Sequence, residues 1–337
     1  MITTVLGDIK AEGVGHILPH EHMFFNMTGY LKPTGDPVYY EPLSLENHGV
    51  IRLNPYAIRD NGLSDSEEDI IFEIKKFKEA GGDMYVDLTL GTGRRPEVFK
   101  RVSKETGVKV VCGCGKYLGG LPEDLVKTED QLYEDIMKDL TVGIGDTDVK
   151  AGIIGEIGTG DAMDDFQRRS LRAAARAQKE TGAGLQIHCS LWTNEGLNAL
   201  DLAMSMGAAP ERIVIDHVDV RLCEEYIMGI LEKGANVEFD DFGKEFYCDQ
   251  RRSNFLLGSF ASDVERVKFL KMLCDKGYAK QILISNDICL KGMFHRYGGW
   301  GYDHIITNIV PMMEDFGISS GDIELMTKIN PRNLLDK

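Results

Sequence analysis

Eight short apolar, β-branched runs, most of them followed by a stretch of helical period, constrain this chain more than any other feature. They cover residues 14–20, 84–90, 109–113, 151–157, 184–188, 213–217, 235–239 and 282–287. Helical patterns fall between them at 66–80, 124–140, 165–181, 194–206, 222–233 and 263–275. Ser66 with Asp69 three residues later resembles a capping box, and Gly81-Gly82 closes the same helix. Strands hydrophobic nearly throughout, alternating with helices, imply a parallel sheet covered on its outer face. Eight such units in 337 residues fit a closed (β/α)8 TIM barrel, read as one domain over 1–337. An open doubly wound sheet is disfavoured, because no G-x-G-x-x-G follows the first run. Residues 23–63, rich in Tyr, Pro, Asn and Gly, are too many for a tight turn and read as an insertion over the first loop.

A barrel demands that functional groups come from the carboxyl ends of its strands. His20 and His22, two residues apart, close the first run and point the same way if extended. Glu156, His188, His217 and Asp287 stand at or near the ends of runs four, five, six and eight. A single histidine at a strand end is ordinarily a hydrogen-bonded structural residue. Six coordinating groups from five strands are the signature of a metal centre. Four imidazoles and two carboxylates exceed the three protein ligands of one catalytic zinc, so two divalent ions are expected, with Glu156 suited to bridge them. Zinc is the default, and the donors also suit Mn, Co or Fe(II).

The formal charge of -16 argues against nucleic acid or an anionic membrane as partner. Seven scattered cysteines suggest no disulfide framework, and Cys112 with Cys114 reads as small residues ending a buried strand. No signal-peptide pattern or run of about 18 apolar residues occurs, so a cytoplasmic protein is expected. No G-x-S-x-G elbow supports a serine hydrolase.

The segments HEH, GIIGEIGTG, IHC, IDHVD, ILISNDI and GGWGYDHI resemble the phosphotriesterase-like family of the amidohydrolase superfamily, over essentially the whole chain. That resemblance implies His20, His22 and Asp287 on a buried metal, His188 and His217 on an exposed one, and a bridging carboxylate between them. Phosphotriesterases proper use a carboxylated lysine there. This chain has Glu156 and no lysine between Ala151 and Asp161, resembling glutamate-bridged homologues. The implied activity is hydrolysis by a metal-bridging hydroxide, with Asp287 taking its proton.

Cations in the loops after runs seven and eight suggest an anion site: Lys244, Arg251, Arg252, Lys291, Arg296. Lys244, Arg296 and Tyr297 resemble the phosphate-binding groups of lactonases that open phosphorylated sugar 1,4-lactones, the substrate expected here. A phosphotriesterase or N-acyl homoserine lactone hydrolase is the alternative, a non-catalytic metal-binding barrel a third. Ion-paired loop residues, such as Lys244 with Asp241, compete with the phosphate reading. Arg94, Arg95, Lys116 and Tyr117 could also face the pocket. The family suggests a homodimer.

Overall fold

A computed structural model describes residues 1–33, 35–249, 251 and 256–337. Its centre is eight parallel strands: β1 (His16–Glu21), β2 (Gly82–Asp87), β3 (Lys109–Cys114), β4 (Ile153–Gly158), β5 (Leu185–His188), β6 (Ile213–Ile215), β7 (Asn236–Phe239) and β8 (Ile282–Ile284). Ladders join them in chain order from β1 to β8, each parallel to the next. Between β8 and β1 a side chain continues the pairing. The Ser285 hydroxyl accepts from the His20 N–H at 3.2 Å and approaches the His20 carbonyl at 2.8 Å. The result is a (β/α)8 TIM barrel.

The first seven longer helices are α1 (Glu67–Glu79), α2 (Pro96–Thr106), α3 (Glu129–Thr141), α4 (Asp165–Thr181), α5 (Glu195–Ser205), α6 (Glu224–Glu232) and α7 (Asp263–Asp275). Four of them start at a side-chain cap. Ser66, Thr128, Asp164 and Ser262 accept from the third helical N–H of α1, α3, α4 and α7, and in the last three a Gln or Glu returns the bond. The stretch 124–140 expected as one helix is therefore two. Pro122–Leu125 forms a single turn and Thr128 nucleates α3 anew.

The outer core lies between strands and helices. The alanine face of α4, with Ala173, Ala174, Ala175 and Ala177 all buried, lets that helix approach the sheet closely. The barrel's lower interior is filled by Ile17, Met84, Val86, Val111, Ile153, Val214 and Leu283, joined to Ile2, Leu334 and Leu335 from the two chain termini. Above this plug the interior turns polar. Gln186, Asp216 and Glu238 are fully or almost fully buried there. No helix among the described residues is long and apolar enough to cross a membrane.

Candidate metal centre

The interior of a parallel barrel is dry, so charged groups there must be paired or must hold an ion. All six residues expected at the strand ends converge above the polar layer. His20 and Glu156 lie within their strands, and His188 is the last residue of β5. His217 and Asp287 come two and three residues beyond the ends of β6 and β8, rather than within extended runs. Their φ values, 59° and 45°, are left-handed, a conformation that costs energy outside glycine and turns each side chain toward the axis.

Glu156 stands at the middle. Its Oε1 is 3.4 Å from His22 Nε2, and its Oε2 is 3.0 Å from His188 Nδ1, 3.5 Å from His217 Nε2 and 3.6 Å from His20 Nε2. Asp287 Oδ1 is 3.0 Å from His22 Nε2. Metal–ligand bonds of about 2.0–2.1 Å in a tetrahedron place neighbouring donors about 3.4 Å apart, and these separations fit such a shell. Two triads emerge, His20–His22–Glu156 and Glu156–His188–His217, sharing one carboxylate. His20 Nε2 is wholly buried with no hydrogen-bond partner among the described residues, the condition of a nitrogen reserved for an ion. The donor set fits two divalent cations.

The electrostatics agree. Burial pushes the Glu156 carboxyl upward, but hydrogen bonds from His188 and His217 overcome it and hold the group well below the usual carboxylate range. For Asp287, burial is likewise outweighed, by the Lys244 charge and the His22 hydrogen bond. Both are kept ionised, as cation binding requires.

Two carboxylates that sequence reasoning missed hold this arrangement. Asp240 accepts from the His217 backbone N–H and stands 3.1 Å from its Nδ1, while its Oδ2 lies 3.2 Å from His20 Nδ1. It thus holds His217 of one triad and lies beside His20 of the other. Glu21, the centre of HEH, reaches across to the segment carrying Asp287. The doubled acid Asp240-Asp241 after strand seven was the visible hint for the first; nothing local signalled the partners of the second.

Above the cluster opens a cavity of about 650 Å³. Its walls are largely apolar. Phe24, Phe25, Met27, Tyr30 and Tyr56 come from the segment after β1, and Leu256, Leu257 and Phe260 from the loop after β7. Of the cations expected to form an anion site in the loops after strands seven and eight, Lys244 alone lines this cavity among the described residues. In the loop after β7, Tyr247–Cys248 pairs with Gly258–Ser259, and Leu256, Leu257 and Phe260 beside that pairing line the cavity.

Lys244 is the only Lys or Arg lining that cavity among the described residues. Its ammonium bridges Asp287 and Asp241, the latter at 2.8 Å, so the pairing with Asp241 and a place in the pocket both hold. Arg296 and Tyr297 are not brought to the cavity. Arg296 pairs with Glu68 at 2.9 Å and Asp69 at 3.1 Å on α1, and the Tyr297 hydroxyl approaches Asp69 at 3.4 Å. Acidic residues of α1 hold both at the barrel's flank, Arg296 by ion pairs and Tyr297 by a hydrogen bond. Arg94 bonds Asp139, Arg95 lies over the Phe24 ring, and Lys116 pairs with Asp124. Tyr117 does line the cavity, its hydroxyl 3.5 Å from His188 Nδ1. Arg251 is exposed beside Asp249. Arg252 falls outside the described residues.

Residues 1–335 match the Phosphotriesterase family. The chain belongs to the phosphotriesterase family. As such it is a metal-dependent hydrolase, of a family whose members are binuclear metal enzymes. An N-acetyltaurine hydrolase of Dictyostelium discoideum is 32% identical, covering 99% of this chain and 97% of its own. A crystal structure of a resiniferatoxin-binding protein from Rhodobacter sphaeroides superposes with a TM-score of 0.95 at 32% identity, covering 99% of this chain and 94% of that one. A mutant of the PTE-like lactonase of Deinococcus radiodurans gives 0.78 at 28% identity, with full coverage of both chains. Phosphotriesterase-family membership thus rests on the whole barrel.

Proposed function

We propose that this phosphotriesterase-family member hydrolyses an acyl bond, in a lactone, ester or N-acyl amide, whose substrate carries one anionic group and an otherwise apolar body. The observation that carries the reading is Lys244, the one buried cation among the described residues of an apolar cavity, next to a cluster built around Glu156. His20, His22, Glu156, His188, His217 and Asp287 would hold the two cations, zinc by default. When bound, such ions supply the Lewis acidity that makes water nucleophilic near neutral pH and polarises a carbonyl.

The protein's own groups do the rest. Asp287, held ionised, accepts the proton of the attacking water and delivers it to the departing alkoxide or amine, so acid and alcohol or amine leave with no covalent intermediate. The Tyr117 hydroxyl, which burial keeps protonated, donates toward the carbonyl oxygen from the His188 side. The aromatic and leucine walls exclude water and bind the apolar part. The Lys244 ammonium, kept charged against burial by Asp241 and Asp287, faces the anion.

The N-acetyltaurine hydrolase, named for an N-acyl amide bearing a sulfonate, and the PTE-like lactonase both support an acyl substrate. A phosphorylated sugar 1,4-lactone keeps support from Lys244 alone, because Arg296 and Tyr297 serve elsewhere. A neutral phosphotriester makes no use of the Lys244 charge, which then serves only Asp241 and Asp287.

The test is kinetic. Lactones and N-acyl amines, with and without a sulfonate or phosphate, and a neutral phosphotriester are assayed with the wild type and Lys244→Met. The anionic acyl substrates should be preferred, and the variant should raise their KM roughly 10- to 100-fold, the scale of a charged hydrogen bond, while that of neutral acyl substrates stays put. Preference for the phosphotriester, or an equal KM effect on neutral and anionic substrates, contradicts the proposal.

A further inference from the structure

The two left-handed residues at the metal cluster need something to keep them there. For His217 the restraint is Asp240, which takes its N–H. For Asp287 the restraint is on the residues to either side. Glu21 Oε1 accepts from the Asn286 N–H at 2.9 Å, the Asn286 side-chain amide at 3.0 Å and the Ser285 hydroxyl at 2.9 Å. Its Oε2 accepts from the Ile288 N–H at 2.8 Å. One wholly buried carboxylate thus grips both peptide N–H groups flanking Asp287, from the strand that also carries His20 and His22.

We infer that Glu21 is a positioning residue for Asp287: it locks the backbone of β1 to the 285–288 segment, so that the strand-eight ligand is presented to the His20–His22 pair in one fixed geometry. The inference rests on the proposed metal centre, since Asp287 must be a ligand for its placement to matter. The chemistry favours a carboxylate specifically. All four contacts are donors, and both oxygens are used. A glutamine of the same size must turn an NH2 toward either the Ile288 N–H or the Ser285–Asn286 donors, setting donor against donor. An aspartate, one methylene shorter, cannot span the same gap. The same clip lies beside the Ser285 hydroxyl that pairs β8 with β1, so barrel closure and ligand placement share one joint.

The experiment uses the full chain, wild type and Glu21→Gln, stripped of metal and retitrated with Zn2+ against a chromogenic chelator. Thermal unfolding, steady-state kinetics and hydrogen exchange over residues 283–290 accompany the titration. The expected result is a folded variant whose amides in that segment exchange faster. Its metal affinity should fall about 10- to 100-fold in one of the two sites, as for other groups that orient ligands. Its kcat should drop while KM holds. If Glu21→Gln does not fold, Asn286→Ala, which removes one donor and leaves the carboxylate, should show the same changes to a smaller degree. A variant that loses thermal stability but binds two ions as tightly as wild type, with unchanged kcat, makes Glu21 merely structural and overturns the inference. Wild type binding no metal overturns the metal centre itself, and this inference with it; wild type binding two ions while acting on no acyl substrate removes only the proposed reaction.

Discussion

At the residue scale the site is a set of carboxylates with separate tasks. Glu156 faces all four histidines, Asp287 pairs with Lys244, and Asp240 orients His217 and lies beside His20. An imidazole that gives one nitrogen to a cation needs its other nitrogen held, and Asp240 serves that need. Replacing Asp240 by Asn should weaken binding of divalent cations about 10- to 100-fold while leaving the fold intact, as measured by chelator competition and circular dichroism. Unaltered affinity would show that the Asp240 contacts are incidental. The six clustered residues were legible in the sequence because each ends, or lies just beyond, an apolar run, and barrel geometry carries such positions to one rim. Glu21 and Asp240 were not legible as holders, because what they bind is set by pairing between distant strands. Glu21 and Ile288 are 267 residues apart.

At the element scale, β8 and the turns that follow it are tied to α1 through Glu73, which is fully buried and bonds His295 Nδ1 at 2.7 Å. That hydrogen bond raises His295 above the usual imidazole range. A folded-state value above the unfolded one, about 6.5, means the contact's stabilisation is fully present below that pH and fades as pH climbs through the raised value. His295→Gln should therefore cost about 1 kcal/mol in urea unfolding near pH 6, with the gap to wild type shrinking toward pH 9. A gap that widens with pH would refute the pairing. The same flank accounts for where Arg296 and Tyr297 lie. Arg296 and Tyr297 follow β8 closely in sequence, yet Glu68 and Asp69 on α1 attract them outward. Charge in a loop was readable; its partner on another element was not. Helix α2 was missed although Pro96 at its start and left-handed Gly107 at its end are ordinary boundary signals, and the break before α3 was missed because the apolar period runs on across Thr128.

At the scale of the whole molecule, the chain divides labour between the two ends of one barrel. The amino-terminal end is plugged by Ile2, Leu334 and Leu335, joining both termini to the interior, while the carboxyl end holds the charged cluster and the cavity. The fold was the most legible level, since strands buried on both faces read as continuous apolar runs and eight of them admit few arrangements. The cavity's apolar walls were the least legible. They are assembled from the segment after β1 and the returning loop after β7, whose meeting depends on the closed barrel. The central claim is that this rim holds two cations around Glu156 and that hydrolysis depends on them. The most direct measurement titrates chelator-stripped protein with Zn2+ while following hydrolysis of an acyl substrate. Activity absent at the start and rising until two equivalents per chain are bound is the predicted result; full activity in the stripped protein, or saturation with a single ion, would contradict it.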